Sequence, residues 1–310
     1  MNRPHVYIII LNYKRWGDTQ ECLESVFRSS YPNFSVIVID NDSQNDSIAH
    51  LTEWATCSLV ASVPHVVLHS HDISKLDDPS SLPRLTFIQN EKNTGFAAGN
   101  NVALRLLATE DAYFWLLNPD ITIVENTLEE LVAFVAGLSP DAIIGGVIKA
   151  LAGNHEILFY GGATMNLMTS TITPITRPSN DPRPDYIHGA CFFSHASNLE
   201  KVGLLPEQYF LYWEESDWCY RARSRGCQLY VCPTAVCYDK ISTAIGRGYL
   251  ADYYYVRNGL LFIATYKKRN LPIVVFFNGF RFLKRVITGK WEKARGVLRG
   301  TIDFFKMKRA

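Results

Sequence analysis

The sequence has no closely paired cysteines and no apolar run of membrane-spanning length. No two of its seven cysteines are separated by two residues, which argues against a disulfide framework and a cysteine zinc site. The apolar run that starts at Leu271 is interrupted by Asn278 and Arg281, far short of the roughly 20 residues that cross a bilayer. The cysteine pattern therefore predicts free thiols, as expected in a reducing compartment.

A glycine-rich dinucleotide-binding loop is also missing. The first apolar run, HVYIIIL at 5–11, is followed by Asn-Tyr-Lys-Arg-Trp-Gly, whereas nicotinamide-dependent oxidoreductases carry Gly-x-Gly-x-x-Gly there. This argues against that class of enzyme. The same N-terminal run is too short for a signal peptide and is interrupted early by Asn12 and Lys14, so a cytoplasmic protein is expected.

The net charge of +1 conceals two oppositely charged regions. Residues 267–310 contain seven Lys and six Arg against Glu292 and Asp303, a net charge of +11, so residues 1–266 carry −10. In this tail, apolar residues recur at helical spacing among the cations, which predicts amphipathic helices on an anionic membrane surface. The alternative is that the tail packs on the rest of the chain or on a second subunit in a homo-oligomer. No nucleic-acid-binding motif accompanies it, which argues against a nucleic acid partner.

Strands and helices are predicted to alternate over the first 150 residues. Apolar runs predict buried strands at 5–11, 34–40, 85–90, 113–118 and near 142–148. Helices are predicted at 18–29, after the segment 93–101 to about residue 107, and from about 127 to 135. This order predicts an α/β fold with a parallel sheet whose polar loops share one edge. Residues 58–83 are predicted to form a surface insertion without chemistry.

One predicted strand ends on a carboxylate that follows a proline. The segment WLLNPDITI (115–123) passes from apolar residues to Asn118, Pro119 and Asp120. Such a strand delivers the carboxylate to the rim of the sheet, where parallel α/β sheets bind ligands. An acidic residue that merely ends a strand would look the same in isolation. The prediction of a site therefore depends on other polar residues that would share it. Asp40, at the end of another strand, is one of them.

A second acidic group follows Trp213 in YFLYWEESDWCYRAR (209–223). A helix that begins there places Glu214 and Asp217 on one face. Acidic residues also suit the first turn of any helix because of its dipole. Crowding of Glu214, Glu215 and Asp217 beside aromatic rings would raise the pKa of one carboxyl and suit it to act as a general base.

Seven ordered motifs resemble those of family-2 glycosyltransferases of the GT-A fold, in particular the rhamnosyltransferase-like and galactofuranosyltransferase-like branch. They are ILNYKR, VIVIDNDSQNDS, NEKNTGFAAGNN, WLLNPD, HGACFF, FLYWEESDWCYRAR and YYYVRN, and the resemblance covers about residues 5–265. It implies a Rossmann-like, mixed but mostly parallel sheet flanked by helices. The catalytic domain would be 1–266, with a nucleotide-binding half at about 1–150 and an acceptor half at about 151–266, followed by the basic helical tail at 267–310.

The resemblance assigns a nucleotide-binding role to residues at the ends of three predicted strands. Asn12 and Tyr13 would lie beside the nucleobase, and Asp40 and Asn41 would contact base and ribose, with Ser43 in the same loop. The remaining residues assigned to the donor are Asn93, Gly95 and Phe96, where the glycine allows the backbone to approach the diphosphate. The implied donor is a dTDP- or UDP-linked sugar.

Asn118-Pro119-Asp120 occupies the position of the family's DxD-like motif. The resemblance implies that Asp120 binds Mg²⁺ or Mn²⁺ and that Asn118 supports it. The branch usually has a histidine ligand after the tyrosine of VCYDKIS (236–242), where this chain has Asp239. A carboxylate is an acceptable ligand for these ions. The alternative is that Asp239 lies in a surface turn and binds no metal.

Glu215 matches the position of the family's inverting base, which is normally the aspartate of a Glu-Asp pair. Because glutamate is one methylene longer, Glu214 and Asp217 stay open as alternatives. Arg257, in the family's Arg-Asn pair, would neutralise charge on the departing diphosphate. The residues assigned to the sugar and acceptor pocket are Trp213 and His188.

These residues together predict an inverting, metal-dependent glycosyltransferase. It would transfer a rhamnose-like deoxyhexose or another hexose to a hydroxyl of a lipid-linked or cell-surface glycan, as a peripheral protein at the inner face of the cell membrane. The base and one metal ligand depart from the family pattern. The alternative is therefore a non-catalytic nucleotide-sugar-binding or scaffold protein of the same fold.

Overall fold

The computed structural model describes residues 3–57, 62–73, 79–179, 183–240 and 248–307. Three predicted features extend partly outside these residues, namely the insertion at 58–83, the motif at 236–242 and the tail at 267–310. Within them the chain forms a mixed α/β fold around one central sheet.

In the part of the chain that the structure describes, the sheet contains 13 strands. They are β1 (Val6–Asn12), β2 (Phe34–Asp40), β3 (His65–His69), β4 (Leu85–Gln89), β5 (Tyr113–Leu117), β6 (Ile121–Ile123), β7 (Ala142–Ala150), β8 (Ile157–Tyr160), β9 (Gly162–Asn166), β10 (Thr171–Pro174), β11 (Tyr186–Ile187), β12 (Cys191–His195) and β13 (Gln228–Asp239). Their order is β10-β9-β8-β7-β12-β5-β1-β2-β4-β3, with β6, β11 and β13 paired beside this row. Because β5, β1, β2, β4 and β3 are parallel, their carboxyl ends share one edge.

The helices cover both faces of the sheet and continue into the tail. They are α1 (Trp16–Phe27), α2 (Ser47–Cys57), α3 (Ser70–Ile73), α4 (Gly95–Leu107), α5 (Thr127–Val135), α6 (Ser197–Val202), α7 (Glu214–Ser224), α8 (Tyr249–Tyr266), α9 (Leu271–Ile287) and α10 (Trp291–Met307). Short 3₁₀ helices occur at Pro79–Ser81 and Lys268–Asn270.

The structure confirms the strands predicted in the first 150 residues, shows a pairing that the sequence did not indicate, and corrects one prediction. β7 does not pair with β5, because β12 lies between them and is antiparallel to both. Residues 58–83 are not only a surface insertion, since β3 joins the sheet as a parallel edge strand beside β4. Most of β3 is half-buried or exposed, so no continuous buried apolar run marks it in the sequence.

Apolar side chains cover both faces of the sheet because successive strand residues point to opposite sides. In β1, Ile8 and Ile10 belong to a core with α1 and α5. Tyr7 and Ile9 belong to the core beneath α4, α6 and α7. This two-sided burial explains the continuous apolar run of β1, and it fixes the position at which the polar residues emerge at the shared edge.

The basic tail is docked on the body of the protein. α10 lies against α8 at backbone distance, since a Cβ added at Gly296 or Gly300 would come within 2.4 or 2.5 Å of the carbonyl oxygens of Tyr249 and Tyr253. Val297 of α10 is buried in a third core that also contains residues of α8 and α9. Packing on the rest of the chain, which the charge pattern left open as an alternative, is therefore observed for part of the tail.

The other faces of α9 and α10 hold large apolar side chains in solvent. These are Phe276, Phe280, Leu283, Ile287, Trp291, Leu298 and Ile302, which are between 40% and 75% exposed. In the ranges that the structure describes, no helix combines the length and hydrophobicity needed to cross a bilayer.

Candidate active site

A cleft opens at the carboxyl edge of the parallel strands, where such sheets bind ligands. Its walls come from the loops after β1, β2, β4 and β5 and from the segment before α7. The lining residues are Leu11, Tyr13, Arg15, Asn41, Asn93, Gly95, Phe96, Asn118, Pro119, Asp120, Phe210, Leu211 and Tyr212. Of the site residues predicted from the sequence, those on the wall are Tyr13, Asn41, Asn93, Gly95, Phe96, Asn118 and Asp120.

Asp40 organises the loop after β2 from beneath the cleft. It is 1% exposed, and its carboxylate accepts hydrogen bonds from Asn12 Nδ2 (2.6 Å), Ser43 Oγ (2.6 Å) and Gln89 Nε2 (3.1 Å). Asn12 and Ser43 are also buried. These three predicted nucleotide residues therefore shape the loop, while Asn41, the next residue of the chain, lines the cleft. Their direct contact with a nucleotide stays a prediction.

Asn41 joins two of the loops that wall the cleft. Its Nδ2 donates to Asn93 Oδ1 (3.0 Å) and to the carbonyl oxygen of Gly95 (3.1 Å). Gly95 has a φ of +84°, and a Cβ there would lie 2.2 Å from the carbonyl oxygen of Phe210. Only glycine suits both the backbone angle and the close approach. The N–H of Phe96 donates to the same Phe210 oxygen (2.9 Å), which holds the segment before α7 against this loop.

Two carboxylates meet at the cleft end of β5. Asp239, the last residue of β13, pairs in antiparallel register with Ile121, the residue after Asp120. The N–H of Lys240 donates to the carbonyl oxygen of Asp120 (3.2 Å). Burial and, second, the negative charge of Asp239 raise the pKa of Asp120 to about 6. The structure thus brings together the two residues that were predicted as metal ligands.

This pair suits a hard divalent cation. Both side chains offer oxygen ligands, which Mg²⁺ and Mn²⁺ prefer, and a cation between Asp120 and Asp239 would offset their mutual repulsion. Among the described residues, no group of three or more His, Cys, Asp or Glu side chains is placed to hold a metal ion. Water and substrate phosphates would therefore have to supply the other ligands, as they often do for Mg²⁺.

Sequence reasoning missed Arg15, a cation on the cleft wall. Its Nε donates to Asp18 Oδ2 (2.8 Å), and Lys240 Nζ lies 2.9 Å from the other oxygen of that carboxylate. The positive charge of Arg15 also favours the ionised form of Asp120. The adjacent cations Lys14 and Arg15 are visible in the sequence, but no local pattern indicates which of them faces the cleft.

A strained turn precedes α7. Tyr212 and Trp213 have φ values of +66° and +78°, a region that costs about 1–3 kcal/mol for each residue other than glycine. Asn258 of α8 fixes the turn, because its Nδ2 donates to the carbonyl oxygens of Leu211 (2.7 Å) and Tyr212 (3.0 Å). Asn258 is therefore a positioning residue for the cleft wall and for the acidic residues that follow.

Trp213 and His188, predicted to shape the sugar and acceptor pocket, are not among the described residues that line the cleft. Trp213 is 1% exposed, and its Nε1 donates to the carbonyl oxygen of Tyr255 (3.0 Å). The ring of His188 packs on Phe159 with centroids 3.8 Å apart, and burial lowers its pKa to about 4, so it is neutral at pH 7. Tyr212, the residue before Trp213, lines the cleft wall instead.

Glu214 and Glu215 begin α7 directly after the turn. Burial, and then repulsion by Glu215, raises the pKa of Glu214 well above the usual value of a glutamate. Burial also raises the pKa of Glu215, whose carboxylate accepts a hydrogen bond from the N–H of Gly189. A Cβ on Gly189 would lie 3.2 Å from Glu215 Oε1 and 3.3 Å from Phe96 Cζ, so this carboxylate is close to the Phe96 ring of the cleft wall.

One oxygen of each glutamate is buried without a partner. No described residue hydrogen-bonds to Oε2 of Glu214 or of Glu215. A carboxyl with a raised pKa and an unpaired oxygen is suited to accept a proton near neutral pH. Glu215 is the better placed of the two, because it is partly exposed whereas Glu214 is only 3% exposed.

Asp217, the third candidate base, is engaged in structural contacts. Its Oδ2 accepts hydrogen bonds from the hydroxyls of Tyr209 (2.9 Å) and Tyr266 (3.0 Å), and its Oδ1 accepts one from Arg221 Nε (2.8 Å). The side chain is almost fully buried. Asp217 therefore ties α7 to α8, and of the three carboxylates it is the least available to a substrate.

Arg257 lies one layer behind the cleft wall. Its guanidinium carbon is 4.9 Å from the centroid of the Tyr254 ring, and its Nε donates to Asn258 Oδ1 (2.8 Å). Tyr254 stacks on Phe210, a residue of the cleft wall, with centroids 5.1 Å apart. Arg257 thus supports the wall through two aromatic rings, and its direct contact with a diphosphate stays a prediction.

The sequence profile described as Glycosyl transferase family 2 matches residues 7–199, more than half of the chain. A curated relative is the low-salt glycan biosynthesis hexosyltransferase Agl10 of Haloferax volcanii, which is 24% identical over 230 residues. That alignment covers 73% of this chain and 64% of the relative. The chain thus spans less than two thirds of the curated relative it matches.

Three solved structures share the fold. The mannosyltransferase PcManGT from Pyrobaculum calidifontis, in complex with GDP-Man and Mn²⁺, has a TM-score of 0.57 at 16% identity, over 98% of this chain and 88% of that one. GalNAc-T7 with UDP, GalNAc and Mn²⁺ has a TM-score of 0.59 at 14% identity, over 93% and 58%. S. aureus TarS 1-349 in complex with UDP-GlcNAc has a TM-score of 0.55 at 17% identity, over 97% and 80%. From the family profile and this shared sheet architecture, the chain belongs to glycosyl transferase family 2 and has the GT-A fold.

Proposed function

We propose that the protein is an inverting, metal-dependent hexosyltransferase that moves a sugar from a nucleoside diphosphate sugar to an acceptor hydroxyl. The observation that carries this proposal is the meeting of Asp120 and Asp239 at the edge that also holds Asn41 and Gly95. Family membership supports the class of reaction. The ligands bound in two of the similar structures, GDP-Man and UDP-GlcNAc, support a nucleotide-sugar donor.

The proposed donor is a dTDP- or UDP-linked hexose, including a rhamnose-like deoxyhexose. Tyr13, Asn41 and Asn93 would contact the nucleoside from the wall, while Asn12, Asp40 and Ser43 hold the loop between them. The residues that would lie along the diphosphate are Gly95, Phe96 and Asn118. This assignment is supported by their common position at the carboxyl edge of the parallel strands.

Asp120 and Asp239 would hold Mg²⁺ or Mn²⁺, which when bound offsets negative charge on the diphosphate. Arg15, on the wall, and Arg257, behind it, would add positive charge to the same region. Glu215 would take the proton of the acceptor hydroxyl as its oxygen attacks the anomeric carbon. The new carbon–oxygen bond forms opposite the bond that breaks, so the diphosphate leaves with the electron pair and the anomeric configuration inverts.

A thermal stability screen of nucleotide sugars tests this function. One of them should raise the melting temperature in the presence of Mn²⁺ but not of EDTA, because a ligand that binds only the native state stabilises it by about 2.7 kcal/mol at 100 times its Kd. The same sugar should slowly release free nucleotide without an acceptor. Stabilisation without any nucleotide release would favour the non-catalytic nucleotide-sugar-binding alternative.

We also propose that the tail holds the enzyme at the inner face of the cell membrane, where it would meet a lipid-linked or cell-surface glycan. Residues 267–310 carry a net charge of +11. α9 exposes Phe276 and Ile287 by 63% and 75%, and Trp291 at the start of α10 is 63% exposed. Cations that attract anionic headgroups beside apolar side chains that insert among them support interfacial binding.

The double substitution Phe276→Ser and Ile287→Ser should weaken binding to vesicles that contain phosphatidylglycerol by about tenfold or more, since two exposed side chains lose their burial in lipid. Vesicle co-sedimentation measures the change. Val67→Ser with Val124→Ser is the matched control, because both valines are exposed but lie outside the tail. Equal losses in both double variants, or equal binding to vesicles without anionic lipid, would contradict the proposal.

A further inference from the structure

We propose that a cavity between α8, α9 and α10 binds the phosphate of a long-chain lipid phosphate ester, the carrier of the acceptor sugar. The proposal rests on the transferase function above and names the acceptor class for it. It is carried by three features of the described residues. The cavity is rich in cations, it continues onto an apolar surface, and it shares a residue with the active-site cleft.

The cavity has a volume of about 390 Å³ and an excess of positive charge. Among the described residues that line it are three cations, Arg281, Arg285 and Lys293, and a single carboxylate, that of Asp252. Arg285 Nη2 lies 3.0 Å from Asp252 Oδ1, so that acidic group is already paired. Two cations are left over for an anion from outside the protein.

Arg281 is the central one of these cations. Its Nη1 donates to Asn278 Oδ1 (2.7 Å), and its guanidinium carbon lies 4.9 Å from the centroid of the Tyr255 ring. Among the described residues, no carboxylate forms an ion pair with it. Burial lowers its pKa, and the hydroxyl of Tyr255 and the charge of Asp252 offset only part of that shift. A guanidinium held in place beside a cavity is well suited to bind a phosphate through two parallel hydrogen bonds.

An apolar surface begins where the basic cavity ends. A neighbouring cavity of about 410 Å³ shares Arg281 and Arg285 with the first and adds Lys284 and the rings of Phe277 and Phe280. These two rings are 42% and 55% exposed. A molecule that fills both cavities would therefore have an anionic head and an apolar chain, which is the chemistry of a lipid phosphate ester and not of free phosphate.

Tyr212 connects this surface with the site of the reaction. It lines the basic cavity and also the cleft that holds Asp120. Burial and, after it, the negative charges of Glu214, Glu215 and Asp252 raise the pKa of Tyr212 to about 12, which keeps its phenol neutral. A sugar attached to a phosphate in the cavity would pass Tyr212 to bring its hydroxyl toward Glu215.

The test uses the full chain and dodecyl phosphate below its critical micelle concentration, with inorganic phosphate and dodecyl maltoside as separate ligands. Calorimetry should show that dodecyl phosphate binds at least tenfold more tightly than either of the others, since it alone supplies both anion and chain. The Arg281→Gln and Lys293→Gln double variant should bind dodecyl phosphate at least tenfold more weakly than the wild type does. Equal affinity for inorganic phosphate would overturn the lipid assignment.

Arg295→Gln with Arg299→Gln is the matched control, because it removes two cations of α10 that pair with Glu292 and Asp303. It should change the affinity by less than twofold, and an equal loss in both double variants would show non-specific attraction. If Arg281→Gln does not fold, Lys293→Glu alone should still weaken binding, and unchanged binding by this variant would overturn the proposal.

Metal-dependent stabilisation by a nucleotide sugar, measured on the same samples, separates this inference from the proposed function. We expect it to be the same in all variants. Donor binding without dodecyl phosphate binding would overturn the lipid site alone. Dodecyl phosphate binding without binding of any donor would overturn the proposed transferase, and with it the role of this site as an acceptor site.

Discussion

Glu215→Gln is expected to lower the rate of nucleotide release by about 10²–10⁴-fold, the range that general base catalysis contributes. Glutamine keeps the size of the side chain but cannot accept the proton of an attacking hydroxyl or water. Glu215 Oε1 lies close to Gly189 and the Phe96 ring, and Oε2 has no partner among the described residues. The measurement is the initial rate at saturating donor and Mn²⁺.

The pH dependence of that rate provides a second check. Burial raises the pKa of Glu215, so at a given pH more of it is protonated than of an exposed glutamate. The protonated form cannot act as a base. The rate should therefore rise with pH through this raised pKa and level off above it, and the residual rate of Glu215→Gln should lack the rise.

Glu214→Gln is the matched control for this substitution. Glu214 is the adjacent residue, and its pKa is also raised by burial. The variant should keep the rate within about tenfold of wild type and should not lose stability, because an amide replaces a buried carboxyl that lacks a partner on one oxygen. If Glu214→Gln loses the rate while Glu215→Gln keeps it, the base is Glu214.

Asp120→Ala is expected to abolish the metal-dependent part of donor binding, with an apparent affinity for the donor at least about 100-fold weaker. Asp120 and Asp239 are the two carboxylates that the structure places together at the cleft edge, and one of them alone is a weak ligand for Mg²⁺ or Mn²⁺. The shift in melting temperature caused by the donor, with Mn²⁺ and with EDTA, measures the loss.

The fold should survive this substitution, since the negative charge of Asp239 already disfavours the ionised form of Asp120. Asp111→Ala is the control, because Asp111 is an exposed carboxylate before the opposite end of β5. It should leave the Mn²⁺-dependent shift unchanged. Retention of that shift by Asp120→Ala would show that the metal, if bound, is held elsewhere.

Local patterns predicted most of the elements that carry the site. α4 ends at Leu107 and α5 spans Thr127–Val135, as predicted, and β1, β2 and β5 lie where the apolar runs are. Such patterns are readable because each element buries a regular set of its own residues against the sheet. Parallel direction then brings the polar strand ends to one edge, which is how Asn41 and Asp120 come to line one cleft.

Contacts between distant parts of the chain decided the roles within the site. β12 inserts between β5 and β7 through pairing that no local pattern specifies. Asp217 accepts a hydrogen bond from the hydroxyl of Tyr266, which lies 49 residues further along the chain. Asn258 fixes the turn that contains Tyr212 and Trp213. As a result Trp213 is buried while Tyr212 lines the wall.

In the basic tail, too, some features follow from local patterns and others from tertiary contacts. Basic amphipathic helices in 267–310 were predictable from the local sequence, because charge and helical spacing are properties of the segment alone. Which side of each helix is covered depends on how the helices pack in three dimensions. Gly296 and Gly300 allow α10 to meet α8 at backbone distance. In the packed structure, Phe276 of α9 stays in solvent and Arg281 of α9 lies beside a cavity. A side chain's surroundings depend on residues far along the chain, and those are fixed only when the helices pack.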